Sequence, residues 1–140
     1  LSTLRLHIDY DYQFYLIGLS CHLKDYRLCW SINRYLGLGL KRRDDHILDI
    51  SGAVGRFPFF QSNLNENSGE PVFSLVANRS ESGLLIAEHK EYDYWLLATN
   101  LLSDEDKNML LKGVQKLREI LAASPIEAGK LRSRQNLIVT

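Results

Sequence analysis

Glu88, His89, Asp93 and Tyr94 fall within seven consecutive positions. Two carboxylates, an imidazole and a phenol so close together could do general acid–base chemistry. That chemistry needs a tuned group within about 3 Å of the substrate proton. The same residues suit a scaffold role, with Glu88 accepting backbone N–H bonds at a corner and Tyr94 filling the core. His7, Asp9 and Asp11 form a second candidate set. Their period-2 spacing puts one imidazole and two carboxylates on one strand face, a donor set that fits a divalent metal. No fourth ligand accompanies them, and a polar strand face in water has the same composition, so no metal site and no cofactor are expected. Asp44, Asp45, His46 and Asp49 read as turn chemistry, because Asp bonds its own backbone in turns. Asp25, Tyr26 and Arg27 open a helix, where Asp25 suits the dipole. Cys21 and Cys29 lack the spacing of a zinc site. Placed eight residues apart on one helix they stand roughly 12 Å apart, too far for a disulfide. Buried free thiols in a reducing cytoplasm are the expectation. The Gly-x-Gly at residues 37–39 and the Gly52–Gly55 pair lack the rest of a nucleotide-binding fingerprint.

Charge is the next signal. Lys plus Arg number 17 and so do Asp plus Glu, so the formal charge is zero. A dedicated nucleic-acid-binding domain is normally basic, which makes nucleic acid an unfavoured partner. The charges are nevertheless segregated. Residues 88–106 hold six acidic side chains and one Lys, a net of −5. Residues 107–134 hold seven basic and two acidic side chains, a net of +5. Lys112, Lys116, Arg118, Arg132 and Arg134 could therefore form a basic face for RNA, provided that the fold puts them on one surface.

The elements that must position these groups follow from length and periodicity. The 140 residues, 45% hydrophobic and 24% charged, suit one soluble globular domain. No run of 18 apolar residues marks a membrane span, and the opening Leu-Ser-Thr-Leu-Arg-Leu has no signal-peptide core. Alternation predicts strands over residues 4–8, 72–78 and 92–98. Residues 84–87 are expected as a return strand after a turn at 80–83, and the aromatic and aliphatic density of 14–19 predicts a second extended segment or a buried lead-in. Residues 38–42 and 46–50 are expected to pair as a hairpin. A short strand over 57–61 contains Pro58 and belongs at an edge or bulge, and residues 63–70 form a surface loop. One helix is expected from an N-cap at Ser20 to a stop at Gly37, with an apolar stripe through Leu23, Tyr26 or Arg27, Trp30, and Tyr35 or Leu36, widened by Leu28 and Ile32. A second runs from Ser103 to Ala123, capped by the Ser103 hydroxyl and ended before Pro125. A last strand over 126–128 precedes a basic, apolar tail at 130–140. The tail's Leu137, Ile138 and Val139 should dock on the domain or on a neighbouring copy. The fold class is α+β: one domain over 1–129, with an antiparallel sheet of five to seven strands and two helices on one face.

The stretch IAEHKEYDY at 86–94 resembles the signature of the IPExxxVDY family of small bacterial proteins. Ile86, Glu88, Asp93 and Tyr94 stand at the named positions, with Ala87 in place of Pro and Tyr92 in place of Val. The segment from Asp9 to Arg42 and the ending LRSRQNLIVT are also similar to such proteins. The resemblance implies a bacterial source and no particular activity, and none of its motifs is enzymatic.

These readings favour a non-enzymatic cytoplasmic interaction module. Its expected partner is a second copy or another protein, met at a sheet edge or through the tail. The alternatives are a small-molecule or metal-dependent enzyme built on Glu88, His89 and Asp93, and an RNA-associated protein using the basic residues.

Overall fold

The computed structural model describes residues 14–62, 69–101 and 103–138. The strand expected over 4–8 lies outside them, as do His7, Asp9 and Asp11. The centre is an antiparallel sheet of six strands. These are β1 (Tyr15–Cys21), β2 (Lys41–Arg42), β5 (Phe59–Gln61), β6 (Val72–Ala77), β9 (Tyr94–Thr99) and β10 (Ile120–Ile126). Their spatial order is β10-β1-β9-β6-β5-β2. Two helices, α1 (Asp25–Leu36) and α2 (Asp104–Gln115), complete the α+β domain.

Strand β9, Tyr-Trp-Leu-Leu-Ala-Thr, is apolar on both sides because both faces of the sheet are covered. Tyr94, Leu96 and Ala98 join Ile17, Leu19 and Leu75 beneath the helices. There Leu28, Cys29 and Ile32 of α1 and Leu110 and Val114 of α2 complete the core. Trp95 and Leu97 project to the other face with Leu16 and Val76. That face is roofed by Phe57, Leu85, Ile86, Leu131 and Leu137. Residues 130–138 are thus part of the domain, with Leu137 only 2% exposed.

The roof includes a hairpin of β3 (His46–Ile50) and β4 (Ala53–Phe57). Its two-residue loop, Ser51-Gly52, has φ of 51° and 88°, the positive pair of a type I′ turn. The Gly52 N–H donates to Asp49 Oδ1 at 2.8 Å. The expected pairing of 38–42 with 46–50 does not form, because β3 is taken by β4 and β2 pairs with β5. Pro58 marks the step from β4 to β5 and accepts from the Ala77 N–H at 3.0 Å. A second small ladder, β7 (Arg79–Ser80) with β8 (Gly83–Leu84), closes the expected turn.

Both helices differ from expectation in instructive ways. Ser20 and Cys21 end β1, and α1 starts after Lys24, so the two cysteines occupy different elements. Gly37 is the C-cap at φ 65°. The buried side of α1 is Leu28, Cys29, Ser31 and Ile32, whereas Tyr26, Trp30 and Tyr35 of the expected stripe are exposed. Ser103 caps α2, its hydroxyl accepting from the Asp106 N–H at 3.0 Å. That helix stops at Gln115, and residues 120–126 form β10 instead of the last helical turn. Pro125 sits in this edge strand opposite Ile17, where a missing N–H costs no ladder bond. Residues 128–130 and 134–137 form short 3-10 turns, so the expected last strand over 126–128 is only the end of β10.

Candidate functional site

The segment from Asn78 to Tyr94 makes one corner of the sheet, and Asn78 organises it. This side chain is fully buried, and each of its polar atoms bonds twice. Its amide donates to the His89 carbonyl at 3.0 Å and the Tyr92 carbonyl at 2.8 Å. Its carbonyl oxygen accepts from the Ile86 N–H at 2.8 Å and the Trp95 indole N–H at 2.9 Å. The corner therefore wraps around an amide that satisfies backbone groups no ladder reaches.

Each predicted member of the polar cluster is committed to a separate structural bond. Glu88 sits in a 3-10 turn over Ala87–His89 and accepts from the Ser133 N–H at 2.9 Å and the Ser133 hydroxyl at 2.7 Å. Burial pushes its carboxyl up. Hydrogen bonds from Ser133, from its own N–H and from the Arg132 N–H outweigh that and hold it at about 2. Asp93 accepts from the Cys21 N–H at 2.8 Å and pairs with Arg79 at 2.9 Å. It thereby satisfies β1 where the register slips between Ser20 and Cys21. The Tyr94 hydroxyl donates to the Leu23 carbonyl at 2.6 Å on the helical side, and burial pushes its phenol above the usual range. His89 Nδ1 lies 2.9 Å from Glu91 Oε2, and its ring stands edge-on to Trp95 at 6.0 Å. Among the described residues no two of the Glu88, His89, Asp93 and Tyr94 side chains bond to each other or share a partner.

The remaining candidates are dispersed as well. His46 is buried, and its Nε2 meets the Asn136 carbonyl at 2.7 Å. Burial pushes its pKa down, with the Asn136 bond opposing. Asp45 pairs with Arg42, and Asp49 serves the hairpin turn. Asp25 accepts from the Tyr26 N–H at 2.7 Å. Burial pushes both thiols, Cys21 and Cys29, up. Among the described residues no group of three or more His, Cys, Asp or Glu side chains is placed to hold a metal. The five basic residues are split between layers. Lys112 and Lys116 belong to α2 and its cap and Arg118 follows them, whereas Arg132 and Arg134 lie in the segment roofing the opposite sheet face.

The outward side of α1 forms a distinct face that helical period alone does not reveal. Tyr26, Trp30, Arg34 and Arg27 fall within about 100° of arc on α1, opposite its buried side. Tyr26 is 61% and Trp30 62% exposed. Among the described residues these four side chains have no hydrogen-bond or ion-pair partner. Trp, Tyr and Arg are the side chains that dominate protein interfaces. Comparison of the chain with family models, with curated proteins and with solved structures finds no match. No helix among the described residues is long and apolar enough to cross a membrane.

Proposed function

We propose that this chain is a non-enzymatic interaction module of the cytoplasm that self-associates through the outward side of α1. The observation that carries this reading is the strip of Tyr26, Arg27, Trp30 and Arg34, which is exposed and unspent by the fold. The other surfaces suggested for pairing offer less. The β10 edge contains Pro125, which has no N–H to give an added strand. The opposite edge, β2, is two residues long. The tail side chains Leu131 and Leu137 are already in the chain's own core. An enzyme built on Glu88, His89 and Asp93 needs all three free to face one substrate, and their bonds are otherwise engaged. The stretch that resembles the IPExxxVDY signature has an architectural role in this chain: Ile86 is core, Glu88 holds the C-terminal segment, and Asp93 and Tyr94 tie β1 and the α1 lead-in to the corner.

Light scattering of the whole chain over a dilution series tests the reading. The wild type is expected to pass from monomer to dimer, and Tyr26→Ala with Trp30→Ala to remain monomeric with unchanged circular dichroism. A wild type that stays monomeric at the highest concentration, or a double variant that pairs as tightly, overturns it.

A further inference from the structure

We infer that the surface receiving the α1 strip is the acidic first turn of α2 on a second copy, so that two chains pair face to face across their helical layers. This rests on the reading of α1 given above. Both helices lie on the same sheet face and touch: a Cβ on Gly113 of α2 would come within 2.7 Å of Leu36 of α1. The two helices are therefore neighbours in one layer. Three of the seven exposed large hydrophobic side chains are on their outward sides: Tyr26 and Trp30 of α1, and Met109 of α2, which is 65% exposed.

The charges on this surface are opposite and unspent. The α1 strip carries Arg27 and Arg34 and no carboxylate, since Asp25 lies on the other side of the helix. The first turn of α2 carries Asp104, Glu105 and Asp106, all exposed. Among the described residues none of these five forms an ion pair. A surface with a cationic aromatic strip beside an acidic one is self-complementary under a two-fold axis. Rotation puts α1 over the partner's α2 at both ends of the contact, with closed symmetry. The two strip aromatics, of roughly 150–250 Å² each and about 60% exposed, offer roughly 200–300 Å². That is about a quarter to a third of what one side of a standard interface buries. Met109 and the charged rim lie next to it on the same surface. A single-stranded polyanion could also stack on Tyr26 and Trp30. Lys112 and Lys116 of the same helix would attract it, but it would leave Asp104, Glu105 and Asp106 without counter-charge, whereas a second copy brings Arg27 and Arg34 to them, which favours the second copy.

Charge reversal tests the pairing. One chain carries Arg27→Glu and Arg34→Glu, and the other Asp104→Lys and Glu105→Lys. Each is checked for folding by circular dichroism, with Asp104→Asn and Glu105→Gln as the milder form if the lysines destabilise α2. In sedimentation velocity each reversed chain alone is expected to pair at least tenfold more weakly than wild type. Their equimolar mixture is expected to recover the wild-type dimer, because both contacts are then between opposite charges. A wild type that pairs through Trp30, with reversed chains that pair as tightly as wild type, overturns this inference and leaves the α1 reading standing. A wild type that does not pair overturns both. A monomeric wild type that binds a single-stranded oligonucleotide with a steep salt dependence assigns the strip to nucleic acid and overturns the inference.

Discussion

The corner from Asn78 to Tyr94 and the outward side of α1 are built on opposite terms. The corner is dense in polar chemistry, and nearly all of it is spent. Asn78 satisfies two carbonyls, a backbone N–H and an indole, Glu88 anchors Ser133, and Asp93 holds Cys21 and Arg79. The α1 side holds two large aromatics and two guanidinium groups with no described neighbour to satisfy them. A group committed to the scaffold is hard to recruit for binding, whereas an exposed Trp or Arg breaks no bond of the fold when a partner covers it. The contrast therefore locates function by where chemistry is left over, not by where it is concentrated.

The sharpest way to break the comparison is at Asn78. Asn78→Ala leaves the Trp95 and Ile86 N–H groups and the Tyr92 carbonyl buried without partners, and takes one of two donors from the His89 carbonyl. It should cost about 3–5 kcal/mol, lowering the melting temperature by roughly 10 °C or more in calorimetry. A loss below 1 kcal/mol, at the level of about one exposed bond, contradicts the hub role. Gly18→Ala comes next. An added Cβ would lie 2.6–2.8 Å from the Tyr92 ring, which is packed on Gly18. Displacing that ring should cost about 1–3 kcal/mol in urea unfolding.

Glu88→Gln should cost about 1–2 kcal/mol at neutral pH, because a charged acceptor of the Ser133 and Arg132 bonds becomes a neutral amide. Its acid dependence is distinctive. The folded pKa of about 2 lies below the ordinary 4.5, so the contribution is whole above about pH 4.5 and fades as pH falls towards 2. His46 adds an earlier step of the same sign. Its lowered folded pKa means that the unfolded chain binds the extra proton, so stability starts to fall below about pH 6.5. An acid titration followed by circular dichroism should show the lower step vanish in Glu88→Gln and the upper step in His46→Phe. The smallest stability effect belongs to Trp30→Ala. It should change unfolding free energy by no more than about 0.5 kcal/mol while removing association. A large stability loss there would make α1 part of the scaffold and erase the contrast.

The sequence made much of the layering legible. Alternation marks β6 and β9, aromatic and aliphatic density marks β1 as extended or buried, the Ser103 hydroxyl opens α2, and Gly37 closes α1. The orientation of α1 was not legible, because apolar residues lie all around it and period alone does not say which side meets the sheet. The end of α2 was obscured by Leu110, Val114, Leu117 and Leu121, which keep helical spacing into a region that folds as β10. Pro125 looked like a helix terminator and is an edge-strand residue. The Ser51-Gly52 turn was readable in principle as a Ser-Gly pair between two apolar runs. The corner's logic was not. Glu88 finds Ser133 across 45 residues, and Asn78, at the end of an alternating strand, has the look of a turn residue. Partners that far apart in sequence leave no local signature.

The central claim is that the α1 strip is spare chemistry awaiting a second copy, and Trp30 reports on it directly. Trp95 is fully buried at all times, so Trp30 dominates quenchable emission. Acrylamide quenching of tryptophan fluorescence across a concentration series should show Trp30 fully accessible in dilute protein. It should become protected, with a blue shift, as protein concentration rises. Trp30 emission that stays equally quenchable and unshifted up to the highest concentration would contradict the account.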